Sequence, residues 1–143
     1  MKLSAANQKK YPKFTHYVKH ELPKVKHTPR IVNALRKYGE IKKGSLSSIL
    51  SWGTKPTINI VAMPKNQCGA FTPNSKSNEV RISKWLVQRF EKNSNKKPVI
   101  RLVEATILHE LAHWGDDQDG KDIPGEEGNL FEKAAYGRVI ACR

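Results

Sequence analysis

Apolar residues fall at helical spacing along most of this chain. After Pro98, the positions Val99, Leu102, Val103, Thr106, Ile107, Leu108, Leu111 and Ala112 make one segment apolar on most sides. This predicts a largely buried helix that Pro98 opens and Gly115 ends. A final helix is expected over Glu126–Ala141, with Leu130, Phe131, Ala134, Ala135, Val139 and Ile140 as packing positions. Upstream, Thr28-Pro29 reads as an N-cap and first helical position, Ile31, Val32, Leu35 and Tyr38 share a face, and Gly39 stops the helix. Shorter helices are expected over Phe14–Leu22, Ser45–Ser51 and Ser83–Lys92, with Lys24–His27 as a linker. The β-rich run Thr57–Met63 lies between Pro56 and Pro64 and predicts a strand. Gln67–Phe71 and Glu79–Ile82 are shorter strand candidates, separated by turn residues at Pro73–Asn78. The pattern predicts an α+β fold with a small, mainly antiparallel sheet. We expect a single domain over 1–143, in which 1–27 form a basic N-terminal extension, partly mobile and anchored by Tyr11, Phe14, Tyr17 and Val18.

Charge sharpens this picture. The 143 residues carry a net +13. Residues 1–103 hold 22 Lys/Arg against 4 acids, whereas residues 104–143 hold 4 against 9, and every Asp lies between 116 and 122. A basic body therefore carries an acidic segment. The basic part is either a solvated face or a surface for nucleic acid, an anionic envelope or an acidic protein. No apolar run approaches the roughly 20 residues that span a bilayer. The first residues lack the apolar stretch of a signal peptide, so synthesis in the cytoplasm and export without a cleaved signal are expected. Cys68 and Cys142 form no C-x-x-C pair and do not read as zinc ligands. A long-range disulfide and two unrelated thiols both remain open.

The candidate chemistry lies in His109-Glu110-Leu111-Ala112-His113, an H-E-x-x-H motif on the buried helix. Residues four apart share a helix face, so His109 and His113 can grip one zinc ion. Glu110 projects where an attacking water needs a general base. A catalytic zinc takes a third protein ligand and keeps a position open. Glu132, on the final helix with eighteen residues between it and His113, is the expected ligand, with Glu127, Asp116, Asp117 and Asp119 as competitors. Tyr136, one turn after Glu132, is either an oxyanion donor or a packed aromatic. His16, His20 and His27 have no partner at ligand spacing in a buried helix and read as surface residues. Asp117, Asp119, Gly120 and Glu126 match positions of a calcium loop, but its first ligand position would be Gly115, which argues against calcium. The acidic loop fits carboxylates that orient the histidines, a cleft wall favouring basic substrates, or simple solvation.

The segment from His109-Glu-Leu-Ala-His-Trp-Gly-Asp through Gly125-Glu-Glu-Gly-Asn-Leu-Phe-Glu132-Lys-Ala-Ala-Tyr136-Gly137 resembles the metallopeptidase domains of bacterial polymorphic toxins. The spacing of Glu132 from His113 is similar to that of gluzincin peptidases. The Gly128-x-x-x-Glu132-x-x-x-Tyr136-Gly137 piece resembles the aspzincins, with glutamate in place of their aspartate. The resemblance implies a minimal zincin fold, in which the histidine helix packs under the sheet and an edge strand, Glu79–Ile82, pairs with an extended substrate. It also implies an effector delivered into a competing cell by a type VI or related secretion system, and neutralised by a cognate, acidic immunity protein.

The leading expectation is thus a zinc endopeptidase toxin acting on a protein or peptide substrate. One alternative is a basic nucleic-acid or envelope binding module with a structural metal. The chain lacks a helix-turn-helix or aromatic–basic stacking pattern that would make nucleic-acid binding specific. Another alternative is a zinc hydrolase of peptidoglycan peptides.

Overall fold

The fold was analysed in a computed structural model, which describes residues 1–73, 78–118, 120 and 126–143. Its axis is α6 (Lys97–Asp117), with Pro98 in the first turn. Val103, Ile107, Leu108, Leu111 and Ala112 on α6 are fully buried. The helix does not stop at Gly115 but runs through it. The chain around Gly39 lies so close that a Cβ on Gly115 would come within 2.3 Å of the Gly39 carbonyl oxygen. Gly115 is thus a contact point between segments rather than a terminator.

Helix α7 (Glu127–Tyr136) packs against α6 and against α3 (Pro29–Tyr38). It ends at Tyr136 rather than Ala141. Gly137 takes up the left-handed conformation (φ 81°), and its N–H caps the Lys133 carbonyl at 2.9 Å. The segment 137–143 is therefore free of helix. It is fastened to the body by a disulfide between Cys68 and Cys142, which resolves the two readings of the cysteines.

The three-stranded sheet has the order β1 (Thr57–Val61), β3 (Glu79–Ser83), β2 (Gly69–Ala70). Its longer ladder is parallel: β1 pairs with β3 from Thr57↔Glu79 to Val61↔Ser83. Only the two-residue β2 is antiparallel to β3. The expected mainly antiparallel sheet is thus corrected. The chain returns from β2 into the middle of the sheet, so β1 is joined to a strand two connections away that runs in the same direction. Strand β3, expected at the edge, is central and buries Val80 and Ile82 completely. The edge strands are β1, bridged by Lys2 at Thr57, and β2.

Residues 1–27 pack against the rest of the fold. Helices α1 (Ala5–Lys10) and α2 (Pro12–His16) lead into a π-turn at Tyr17–Glu21 and a 3₁₀ segment at Leu22–His27. Met1, Leu3, Tyr11, Phe14, Tyr17, Val18, Leu22 and Val25 are all buried. The expected linker Lys24–His27 is part of the 3₁₀ segment. Phe14 and Tyr17 both pack on Phe90 of α5 (Lys84–Asn93), with ring centroids 6.1 and 5.3 Å apart. Basic residues hid this packing, because the lysines face outward from apolar anchors. A short helix α4 (Lys43–Leu50) completes the set, burying Leu46 and Leu50. Among the described residues, no helix is long and apolar enough to cross a membrane.

Because Phe14 is fully buried, Phe14→Ala should destabilise the protein by about 3–5 kcal/mol in a denaturant titration. A change below about 0.5 kcal/mol would show that residues 1–27 do not belong to the core.

Candidate metal centre

The site is built where α6 passes beneath β2 and meets the start of α7. His109 and His113 are successive turns of α6, with ring centroids 5.0 Å apart. Their Nε2 atoms lie 3.3 Å from each other. Glu126, immediately before α7, points its Oε1 at both: 2.6 Å from His113 Nε2 and 3.3 Å from His109 Nε2. These three side chains form a group able to hold a metal ion. Tetrahedral zinc, with bonds of about 2.0–2.1 Å, separates its ligands by about 3.3–3.4 Å. Two of the three edges already have this length. The third is a hydrogen-bond contact that opens by about 0.7 Å on ligation. Two imidazoles and one carboxylate are also a donor set suited to zinc.

Behind each histidine stands a second carboxylate. Glu132 Oε1 lies 2.6 Å from His109 Nδ1, and Glu127 Oε2 lies 3.2 Å from His113 Nδ1. Both glutamates are buried, at 4% exposure, whereas the side chain of Glu126 is 49% exposed. The tautomer in which each Nδ1–H donates to its carboxylate leaves both Nε2 lone pairs directed toward Glu126. Glu132 is held in turn by the Ile140 N–H, which donates to its Oε2 at 2.5 Å.

Glu132, expected as the third ligand, therefore lies on the far side of the His109 ring from the point where the Nε2 atoms converge. Glu126, just before α7, stands at the histidine tips, while Glu132, further along α7, stands behind His109. Glu126 was not anticipated. The usable signal is Gly128: a Cβ there would lie 2.2 Å from His109 Nε2, so the chain must pass bare against the ring. A backbone pressed on a ligand ring brings its flanking carboxylates to that ring. Of the other competitors, Asp116 is buried and Asp117 lines the cleft. Asp119, and with it much of the calcium-loop reading, lies outside the described residues.

Glu110 is 6% exposed and faces β2. Gly69 passes so near that a Cβ would come within 2.7 Å of Glu110 Oε1. Burial pushes the Glu110 carboxyl up to about 7; His109 opposes this, the Glu126 charge adds to it, Arg81 opposes it and Glu132 adds again. For His109, burial disfavours the charged ring, but the Glu132 hydrogen bond and the charges of Glu110, Glu132 and Glu126 raise its affinity for a proton overall.

Tyr136 does not reach the site. Its hydroxyl donates to Glu104 Oε1 at 2.9 Å, its ring meets Phe131 edge-on, and Arg101 lies over its face. Burial first, and then Glu104, raise its pKa. The oxyanion-donor expectation is thus corrected: the side chain is spent on packing against the earlier turns of α6. His16, His20 and His27 are exposed, as surface residues should be.

Two cavities flank the group and share Gln67, Gly69, His109 and Glu110. One, of about 420 Å³, runs past His113, Asp117, Glu126 and Phe71. The other, of about 280 Å³, runs past Thr106, Asn129 and the 139–142 segment. Together they form a cleft along the free edge of β2.

The two close-packed glycines separate two functions. Gly128→Ala should evict the His109 ring and weaken zinc binding by more than about tenfold, whereas Gly69→Ala should leave zinc binding within about twofold and displace Glu110. Competition with a chromogenic chelator measures both, and equal effects on zinc binding would contradict the geometry.

A family model described as metallopeptidase toxin 3 matches residues 7–137. Neither a curated protein nor a solved structure matches the chain. A metallopeptidase requires a metal, and the His109, His113 and Glu126 side chains form a group that could bind one. The match spans the N-terminal helices, the sheet and both site helices, and on that extent the chain belongs to the metallopeptidase toxin 3 family.

Proposed function

We propose that this protein is a zinc-dependent endopeptidase toxin in which His109, His113 and Glu126 hold the metal and Glu110 is the general base. The observation that carries the reading is the convergence of both Nε2 atoms and Glu126 Oε1 on one point. Bound zinc would supply a Lewis acid that polarises the scissile carbonyl and acidifies the attacking water. Glu110 takes the proton from that water and passes it to the leaving amine nitrogen. Its burial suits it to this exchange, because a carboxyl lifted toward neutrality both accepts and returns a proton. Glu132 and Glu127 hold the two rings by their Nδ1 atoms. The free edge of β2 offers backbone groups to an extended peptide lying in the cleft.

Membership of a toxin family supports an antibacterial effector role, with delivery by a secretion system of the type VI or a related kind. The net charge of +13 favours an acidic immunity protein as the neutralising partner.

Three substitutions test the assignment on the zinc-loaded protein. Glu110→Gln should keep its zinc and lose about 10²–10⁴-fold in peptide cleavage. Glu132→Gln should weaken zinc binding by about 10–100-fold, and Glu126→Gln by more than that. Zinc binding by Glu126→Gln as tight as in the unmodified protein would overturn the ligand set, and full cleavage by Glu110→Gln would overturn the mechanism.

A further inference from the structure

The cavity of about 280 Å³ beside His109 has an unusual wall. One side is the loop before β2, with Asn66, Gln67 and Cys68; the facing side is Val139, Ile140, Ala141 and Cys142. The Cys68–Cys142 bond joins the two sides across 74 positions of sequence. The same 137–143 segment reaches the candidate centre: the Ile140 N–H donates to Glu132, and Glu132 holds His109. Val139 is 39% exposed, the one large hydrophobic side chain left exposed among the described residues. The segment has no helix or strand of its own after Gly137. Beyond the disulfide, it is anchored by the Ile140 bond and by an Arg89 Nη1 bond to the Arg143 carbonyl.

We propose that the disulfide-fastened segment Val139–Cys142 is a substrate-binding wall, that it selects an apolar substrate side chain next to the scissile bond, and that full activity requires the Cys68–Cys142 bond. The inference rests on the peptidase reading above. A substrate strand laid along β2 passes Gly69 and Glu110 and must place one side chain in this cavity, because both cavities open on those residues. Val139 and Ala141 supply its apolar rim. Opening the bridge releases the wall, because a segment held by few buried contacts opens at low cost. It also removes the Ile140 donor from Glu132 and so loosens His109. Disulfides persist in oxidising compartments, while reducing cytosol keeps thiols free. The working form of this peptidase is therefore the one present outside a reducing cytosol, and reduction switches it down.

The test compares the oxidised protein, the same protein treated with a water-soluble phosphine, Cys68→Ser/Cys142→Ser and Val139→Asp, all zinc-loaded. The phosphine breaks the Sγ–Sγ bond, takes the oxygen of a water to become its oxide, and leaves the two water protons on the two thiols. Three readouts are taken: cleavage of a mixed peptide library, read by mass spectrometry, zinc affinity, and amide exchange at Ile140. The oxidised protein should prefer one apolar side chain beside the cut. Val139→Asp should keep its disulfide and lose that preference by about tenfold or more. Reduction and the double variant should each speed Ile140 exchange, weaken zinc binding by about tenfold and lower cleavage. Cleavage with the same preference in all four samples, or Ile140 exchange indifferent to reduction, overturns the wall proposal while leaving the peptidase standing. An oxidised protein that binds zinc but cuts no peptide overturns the peptidase reading, and the substrate wall with it, whatever the exchange shows.

Discussion

The contact on which the rest of the site depends is the one between Glu132 and His109. It is part-buried, it joins α6 to α7, and it fixes which ring nitrogen faces the cleft. A carboxylate as deeply buried as Glu132 is costly to desolvate unless it is paired. Here its two oxygens are divided between an imidazole and the Ile140 N–H. The pairing couples three otherwise separate parts of the chain: the histidine helix, the helix that follows the acidic loop, and the disulfide-bound segment beyond Gly137. Glu127 repeats the arrangement on His113, so the orientation of both rings is set from α7.

Charge follows the same logic. The basic residues lie over the outside of the first hundred positions, while Glu110, Glu126, Glu127 and Glu132 gather around two imidazoles. Burial first, and then the nearby charges of Glu126 and Glu132, push the Glu110 carboxyl up to about 7. A divalent cation at the point where the Nε2 atoms meet would relieve the repulsion between these charges. Glu126, Glu127 and Glu132 are thus drawn together at one place against the two histidines. The glycines serve the same end. Gly69 and Gly128 are places where backbone must lie directly on Glu110 and on His109, and no side chain would fit.

The helix bearing the motif, its proline start and its burial could be read from the sequence, because a segment apolar on most sides has few alternatives. So could the pair His109 and His113, whose spacing alone puts them on one face. The choice between Glu126 and Glu132 could not be read in this way. Both lie near the expected helix, and only the way α7 docks on α6 decides which reaches the Nε2 side. Tyr136 failed for a related reason: one helical turn separates it from Glu132, but the long ring swings toward Glu104 instead of the cleft. The parallel β1–β3 ladder was hidden because sequence order suggests hairpins, whereas β3 inserts between its predecessors. The packing of residues 1–27 was hidden because seven lysines are interleaved with the eight apolar residues that are buried there.

The most direct measurement is an anomalous-scattering map at the zinc edge, from crystals of the oxidised protein grown with zinc. The account predicts one peak, about 2.0–2.2 Å from His109 Nε2, His113 Nε2 and a Glu126 oxygen, with Glu132 still against His109 Nδ1. A peak bonded to Glu132, or to the Nδ1 atom of either histidine, would contradict it.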